Sequence, residues 1–350
     1  MKVSPLKYYK PWKTYFAVLV EHTKTGHYPV DELVQLLIDK YGKIPLLICE
    51  PKYDGVRCEL HKLGEKVRIF TEDGNEITHA LPTIVKAVKE RKLPDLIVEG
   101  ELEGYKNGRH VPRELVIGEI HEKKRETSDF DFVFTIFELP WLEGENLTER
   151  TNLERLRLLY KLPISQASPN PKPVLNKVPY VLAKTRNTLQ RAANKFCSIK
   201  HFEGMVCKFA DGLYDPKSKY PYLIKFKKFL TVAVIVSQVF PTKKPGIYNY
   251  EVCLAFDPDD NVDPAWIRTI NGKKYVRLSK TYNTSLRFKV GDVITLRAFN
   301  FSLTKVSKDG KVYYRLSAYA PQVDRKIQGR PNTVKEVLKA AKAFGILHED

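Results

Sequence analysis

At 350 residues the chain is long enough for two domains, with a sizeable core in the first. Its 43% hydrophobic and 29% charged residues are those of a globular rather than a disordered protein, and no stretch approaches about 18 uninterrupted apolar residues, which excludes a membrane-spanning helix. A net charge of +18, with a pI near 9.5, points to a polyanionic partner, usually nucleic acid.

The segment Met1 to Lys7 lacks the apolar centre of a signal peptide, so export is not expected. Apolar Leu33, Val34, Leu37 and Ile38 recur at helical spacing, which predicts a helix over Asp31 to Lys40 that stops at Gly42. The run Leu46-Leu47-Ile48-Cys49 then leads into Lys52-Tyr53-Asp54-Gly55-Val56-Arg57. A lysine held there is a candidate nucleophile. An amine attacks phosphorus only when unprotonated, so desolvation or neighbouring cations should lower its pKa. Gly55 suits a tight strand-to-strand turn.

Val56 to Leu60, Lys66 to Phe70 and Leu96 to Glu101 read as strands around a helix over Ile84 to Arg91. Phe137 alternates with Val133 and Thr135, the spacing of a core aromatic. Helices are expected over Thr148 to Lys161, with Thr148 as N-cap, and over Asn187 to Ile199. Strands at Met205 to Phe209 and Tyr222 to Lys227 follow, and alternation puts Lys225 and Lys227 on one face. Taken singly, Glu203 and Lys208 read as a solvated charge pair.

After Phe229 the chain changes to short strands at Val232 to Phe240, Tyr250 to Phe256, Asp292 to Phe299 and Val312 to Ala318. Turns separate them at Lys244-Pro245-Gly246, Asp257-Pro258-Asp259-Asp260 and Lys308-Asp309-Gly310. The insertion Asp257 to Tyr282 is long enough for a loop that encircles a duplex, and a basic helix over Thr333 to Phe344 is capped by Thr333 and stopped at Gly345. Basic runs at Lys10 to Lys13, Glu122 to Arg125, Lys225 to Lys228, Lys243-Lys244 and Lys273-Lys274 are spread as for clamping a duplex. Five cysteines without a Cys-x-x-Cys pair argue against a zinc module or disulfide framework and fit reduced thiols in a cytoplasmic compartment.

The pattern Lys-x-Asp-Gly-x-Arg at Lys52 to Arg57 resembles the nucleotidyl-acceptor motif of the covalent nucleotidyltransferases, the superfamily of ATP-dependent DNA ligases, RNA ligases and mRNA capping enzymes. Four further segments are similar to family motifs and keep the family's order: Leu96 to Leu102 with Glu99-Gly100-Glu101, Val133 to Glu138, Glu203 to Lys208, and Tyr222 to Lys227. Leu147 to Leu156 resembles the helix that follows the adenine-stacking strand. Glu99 and Glu138 are longer acids than the family's Asp, and Glu72 stands where ligases carry a phosphate-holding arginine. Asp324-Arg325-Lys326 is the faint counterpart of the sixth motif, making Arg325 and Lys326 weak candidates there.

The resemblance implies an α+β fold: a nucleotidyltransferase (ATP-grasp-like) domain over residues 1–229, then a small all-β oligonucleotide-binding barrel with a C-terminal helix over 230–350. It is closest to the minimal two-domain ligases, since about fifty residues precede Lys52. The implied function is an ATP-dependent DNA ligase that seals nicks in duplex DNA through lysyl-AMP and 5′-adenylylated DNA, acting as a monomer with ATP and Mg²⁺, for which Mn²⁺ can substitute. Lys52 is the implied nucleophile, Glu50 the reader of the adenine amino group, Glu101 the ribose ligand and Phe137 the base platform. Arg57, Lys208, Lys225 and Lys227 are the implied phosphate contacts, and Glu203 with Glu101 the implied metal ligands. An RNA ligase, a GTP-dependent capping guanylyltransferase and a catalytically dead nucleic-acid-binding protein are the alternatives. The strand-rich C-terminal part favours DNA over RNA.

Overall fold

The computed structural model describes residues 13–21, 30–121, 130–166, 174–214, 219–319 and 321–349. The basic run Glu122 to Arg125, the residues before Lys13 and the N-terminal segment lie outside the described residues. The fold is mixed α/β, and the chain divides into two compact units, one containing Pro29–Lys227 and the other Lys228–Asp350.

A strand β1 (Lys13–Glu21) precedes the helix α1 (Asp31–Tyr41), which buries Leu33 and Leu37. Gly42 ends α1 as expected, at φ 70° with its N–H on the Ile38 carbonyl. Then come β2 (Leu47–Lys52), β3 (Val56–Leu63), β4 (Lys66–Thr71), α2 (Pro82–Glu90), β5 (Leu96–Lys106), β6 (Arg109–His110) and α3 (Arg113–His121). They are followed by β7 (Asp131–Leu142), β8 (Glu145–Asn146), α4 (Asn152–Lys161), β9 (Ser165–Gln166), β10 (Leu175–Lys177), β11 (Val181–Ala183), α5 (Arg186–Cys197), β12 (Gly204–Phe209) and β13 (Lys219–Pro241).

In the first unit one sheet has the order β11-β2-β12-β13, and a second the order β4-β3-β5-β7-β10-β9, with β6 on β5 and β8 on β7. Ile48, Leu60, Ile84, Val98, Phe134 and Leu159 belong to one buried cluster that holds this unit together. Two local expectations are corrected here. The N-cap of α4 is Thr151, whose side chain and that of Glu154 form a capping box, whereas the Thr148 hydroxyl lies 2.8 Å from Asn146 Oδ1 in the preceding turn. The segment around 229 is not a break between strands, because β13 runs unbroken from Lys219 to Pro241.

The second unit continues with β14 (Tyr248–Ala255), β15 (Ile267–Ile270), β16 (Lys273–Lys280), β17 (Val293–Ala298), β18 (Phe301–Lys308), β19 (Lys311–Ala318), β20 (Gln322–Lys326), α6 (Val334–Phe344) and β21 (Leu347–Glu349). One sheet runs β15-β16-β14-β13-β17-β20 and another β19-β18-β21. The insertion Asp257 to Tyr282, long enough for an encircling loop, holds a short 3-10 turn and the β15–β16 hairpin, paired to β14 and burying Val276 and Leu278. Burial of those two apolar side chains, and the turn at Asn271-Gly272 with φ of 49° and 75°, fix it in the sheet. Helix α6 is as expected, with Thr333 as N-cap and Gly345 at φ 69°.

Candidate functional site

The antiparallel strands β2, β12 and β13 lie side by side in a register that aligns Lys52, Gly204 and Lys227 in one row, and Glu50, Val206 and Lys225 in the next. Residues two apart on a strand share a face, so Glu50, Lys52, Lys225 and Lys227 all rise from the same side of this sheet. Glycine is required in the middle of the row. Gly204 has φ +146°, and a Cβ there would lie 2.0 Å from the Phe226 carbonyl oxygen.

The facing groups come from β3, β5 and β7. Arg57 and Glu101 are opposed across β3 and β5. The Arg57 guanidinium pairs with Glu99, whose other oxygen accepts from the Tyr214 hydroxyl. Glu101 Oε1 accepts a hydrogen bond from Gly55 N at 3.1 Å. Close approach, rather than turn geometry, is what Gly55 supplies: a Cβ would sit 2.4 Å from the Leu102 carbonyl oxygen. His110 Nε2 donates to the Asp54 carbonyl at 3.0 Å and so braces the loop that follows Lys52.

Between these walls is a cavity of about 180 Å³ whose lining includes Lys52, Arg57, Glu101, Phe137, Lys208 and Lys225. Phe137 is half-buried, with Arg57 5.6 Å and Lys208 5.3 Å from its ring centroid, so one ring serves both packing and the cavity wall. Lys208 is buried rather than solvated, with Nζ 2.9 Å from Glu50 Oε2 and 2.7 Å from the Phe137 carbonyl oxygen. Glu203 bridges two amines, at 2.5 Å from Lys52 Nζ and 2.9 Å from Lys227 Nζ.

This crowding sets the protonation states. Burial works to lower the Lys52 pKa, but the Glu203 and Glu101 carboxylates outweigh it and hold the amine above its ordinary value. The lowered pKa expected of a nucleophilic lysine is therefore reversed in the protein by itself. Lys225 goes the other way, to about 8, through burial and then the charges of Lys52 and Lys227. Glu50 is raised to about 7, chiefly by burial. Burial would raise Glu203 as well, yet Lys52 and Lys227 bring it down to about 2.

The two weak sixth-motif residues belong to the second unit. Lys326 Nζ lies 2.6 Å from Asp292 Oδ1, and Arg325, 76% exposed, is 4.0 Å from Asp324. Three residues near the cavity escape the motif reading, Arg113 in its lining, His110 and Tyr214. Arg155, inside the segment likened to the helix after the adenine-stacking strand but given no role there, is fully buried with Nε 2.7 Å from Glu138 Oε1. Asn107-Gly108 was the available signal for His110, since it makes the tight turn between β5 and β6 with φ of 51° and 73°.

Residues 33–227 match the family model described as ATP dependent DNA ligase domain. A DNA ligase of Pyrobaculum neutrophilum is 27% identical over 266 residues, covering 69% of this chain and 43% of that protein. A DNA ligase of Nanoarchaeum equitans is 25% identical over 241 residues, covering 65% of this chain and 40% of that protein. The chain thus spans less than half the length of these curated relatives. The solved structure Pmar-Lig_Pre is alike in fold, with a TM-score of 0.54 and 18% identity over 90% of this chain and 68% of that one.

Proposed function

Because this chain belongs to the family of ATP-dependent DNA ligase domains, we propose that it seals nicks in duplex DNA with ATP through an adenylylated Lys52. The observation that carries this reading is the single sheet face bearing Lys52, Lys225 and Lys227 opposite Arg57, Glu101 and Phe137. Lys52 Nζ attacks the α-phosphorus of ATP, an N–P bond forms, the bond to the bridging oxygen breaks, and pyrophosphate leaves as the amine loses its proton. AMP then passes to the 5′-phosphate at the nick. Attack by the 3′-hydroxyl closes the phosphodiester and releases AMP.

In this scheme Phe137 stacks on adenine, Glu50 reads its amino group, and Glu101 takes the ribose. Arg57, Lys208, Lys225 and Lys227 meet the phosphates, whose charge they offset as it shifts during transfer. Glu203 and Glu101 offer carboxylate oxygens beside Lys52, a donor set that suits a hard cation, and they would hold Mg²⁺ or Mn²⁺. When bound, that ion supplies positive charge against the phosphate under attack. The second unit serves as the oligonucleotide-binding barrel that grips the duplex, and Arg325 and Lys326 are its weak sixth-motif candidates. The five free thiols fit a reducing compartment such as the cytoplasm, and the protein acts as a monomer in this scheme.

The test is to incubate wild-type protein and Lys52→Ala with Mg²⁺ and α-labelled ATP or GTP, without DNA. Covalent label from ATP on the wild type alone is the expected result. Label from GTP alone would move the protein to capping chemistry, and no label on folded wild type would sink the reading.

A further inference from the structure

Among the described residues five cations line the cavity, and they differ in how their charge is met. Lys52 faces Glu203, Arg57 faces Glu99, and Lys208 faces Glu50. Among the described residues, Lys225 and Arg113 line the same cavity and form no ion pair. A cation with no carboxylate partner at the wall of a concave site is a place for an anion from solution.

Arg113 is also in an unfavourable place for its own helix. It opens α3 directly after Pro112, where the helix dipole presents positive charge, so an arginine there opposes the dipole by a few tenths of a kcal/mol. Helix stability therefore does not account for it. On the same cavity wall, Glu72 sets an exposed carboxylate that forms no ion pair among the described residues, although its charge acts on Arg57, and it would repel an incoming phosphate. An arginine offers a rigid fork of donors that matches phosphate oxygens, which a point-charge lysine does not.

We propose that Arg113 is a phosphate-binding residue of this cavity, holding phosphate oxygens of the substrate and offsetting the repulsion from Glu72. The inference rests on the ligase reading given above. The phosphate has two possible sources, the polyphosphate of ATP or the 5′-phosphate at the nick.

Two assays on the full chain separate these sources. One follows covalent labelling by α-labelled ATP across ATP concentrations. The other follows transfer of AMP from preloaded enzyme to a nicked duplex across DNA concentrations. Arg113→Ala is expected to raise the half-saturating concentration in one assay by about 10- to 100-fold, the range for losing hydrogen bonds to a charged group. A shift in the first assay identifies ATP, and a shift in the second identifies the DNA end. Arg113→Lys is expected to recover only part of the loss. The melting temperature should stay level or rise slightly, since the variant relieves the helix dipole.

Glu72→Gln gives a reading that does not depend on the Arg113 variants: it should lower the same half-saturating concentration. Unchanged half-saturation for Arg113→Ala in both assays, with wild type labelling normally, overturns the proposal. So does a Glu72→Gln variant that leaves both assays unmoved. A wild-type protein that takes no label from ATP is a different failure, that of the ligase reading itself.

Discussion

The two units treat buried charge differently. In the first, several acids near the cavity are pushed upward: Glu50 to about 7 by burial, Asp54 to about 7 by burial and then Glu203, and Glu59 to about 8 by burial and then Glu99. In the second, buried acids are held down. Burial would raise Asp263, but Lys308, the Ala265 N–H and Arg315 outweigh it and set it at about 2. Glu251 lies below its ordinary value because Arg268, Arg277 and Ser237 outweigh its burial in the same way. Near the cavity Glu203 and Glu138 are held down by lysines and by Arg155, while for Glu50, Asp54 and Glu59 burial outweighs the cations. Such uneven matching marks a place prepared for a ligand, whereas acids matched by basic partners, as in the second unit, mark architecture. The contrast assigns chemistry to the first unit and scaffolding to these residues of the second.

The comparison breaks most visibly at Arg155. This side chain is fully buried against Glu138 and Asn152, so Arg155→Met should cost about 3–5 kcal/mol by leaving Glu138 short of a partner. Chemical denaturation checks it, and a loss under about 1 kcal/mol would show that Lys208, 3.9 Å from Glu138, can carry that charge alone.

Glu59 sharpens the comparison through pH. Its folded pKa of about 8 exceeds the ordinary 4.5, so the folded protein keeps a proton that the unfolded chain has released. Its contribution to stability is present below about pH 4.5 and is lost as pH rises towards 8. Glu59→Gln should therefore gain roughly 3 kcal/mol relative to wild type at pH 8 over its effect at pH 5. An equal effect at both pH values would contradict the upward shift.

Asp263 has the opposite sign and a smaller effect. Its folded pKa of about 2 lies below the ordinary 3.8, so its contribution is fully present above about pH 3.8 and is lost as pH falls through 2. The partners Lys308 and Arg315 are 41% and 31% exposed, which discounts the pair to about 1 kcal/mol in Asp263→Asn at neutral pH. Thermal melts should show the gap between variant and wild type narrowing from pH 7 to pH 3 and closing only near pH 2.

What could be read from sequence follows the same division. The motif residues are short-range patterns on strands, so alternation alone placed Lys225 and Lys227 on one face, and the register then set them beside Lys52. Arg113, Tyr214 and Arg155 carry no such pattern. Their positions depend on which elements pack together, and a lone arginine or tyrosine reads in sequence as a solvated or core side chain. In the second unit, Asn271-Gly272 between two strand-forming runs was a hairpin signal that the length of the insertion alone does not carry. Thr148 and Thr151 offer the same capping hydroxyl, and only Thr151 has a glutamate, Glu154, three residues on to complete the capping box.

In the proposed scheme Lys52, and no other amine on this face, carries the nucleotide. Lys225 is its chemical rival, since its lowered pKa of about 8 leaves more free amine near neutral pH than a lysine paired to Glu203. Peptide mapping of the adduct formed with ATP and Mg²⁺, kept at alkaline pH to preserve the phosphoramidate, separates the two. The expected result is AMP on the peptide containing Lys52 alone; AMP on Lys225 or Lys227 in protein with an intact Lys52 would contradict the account.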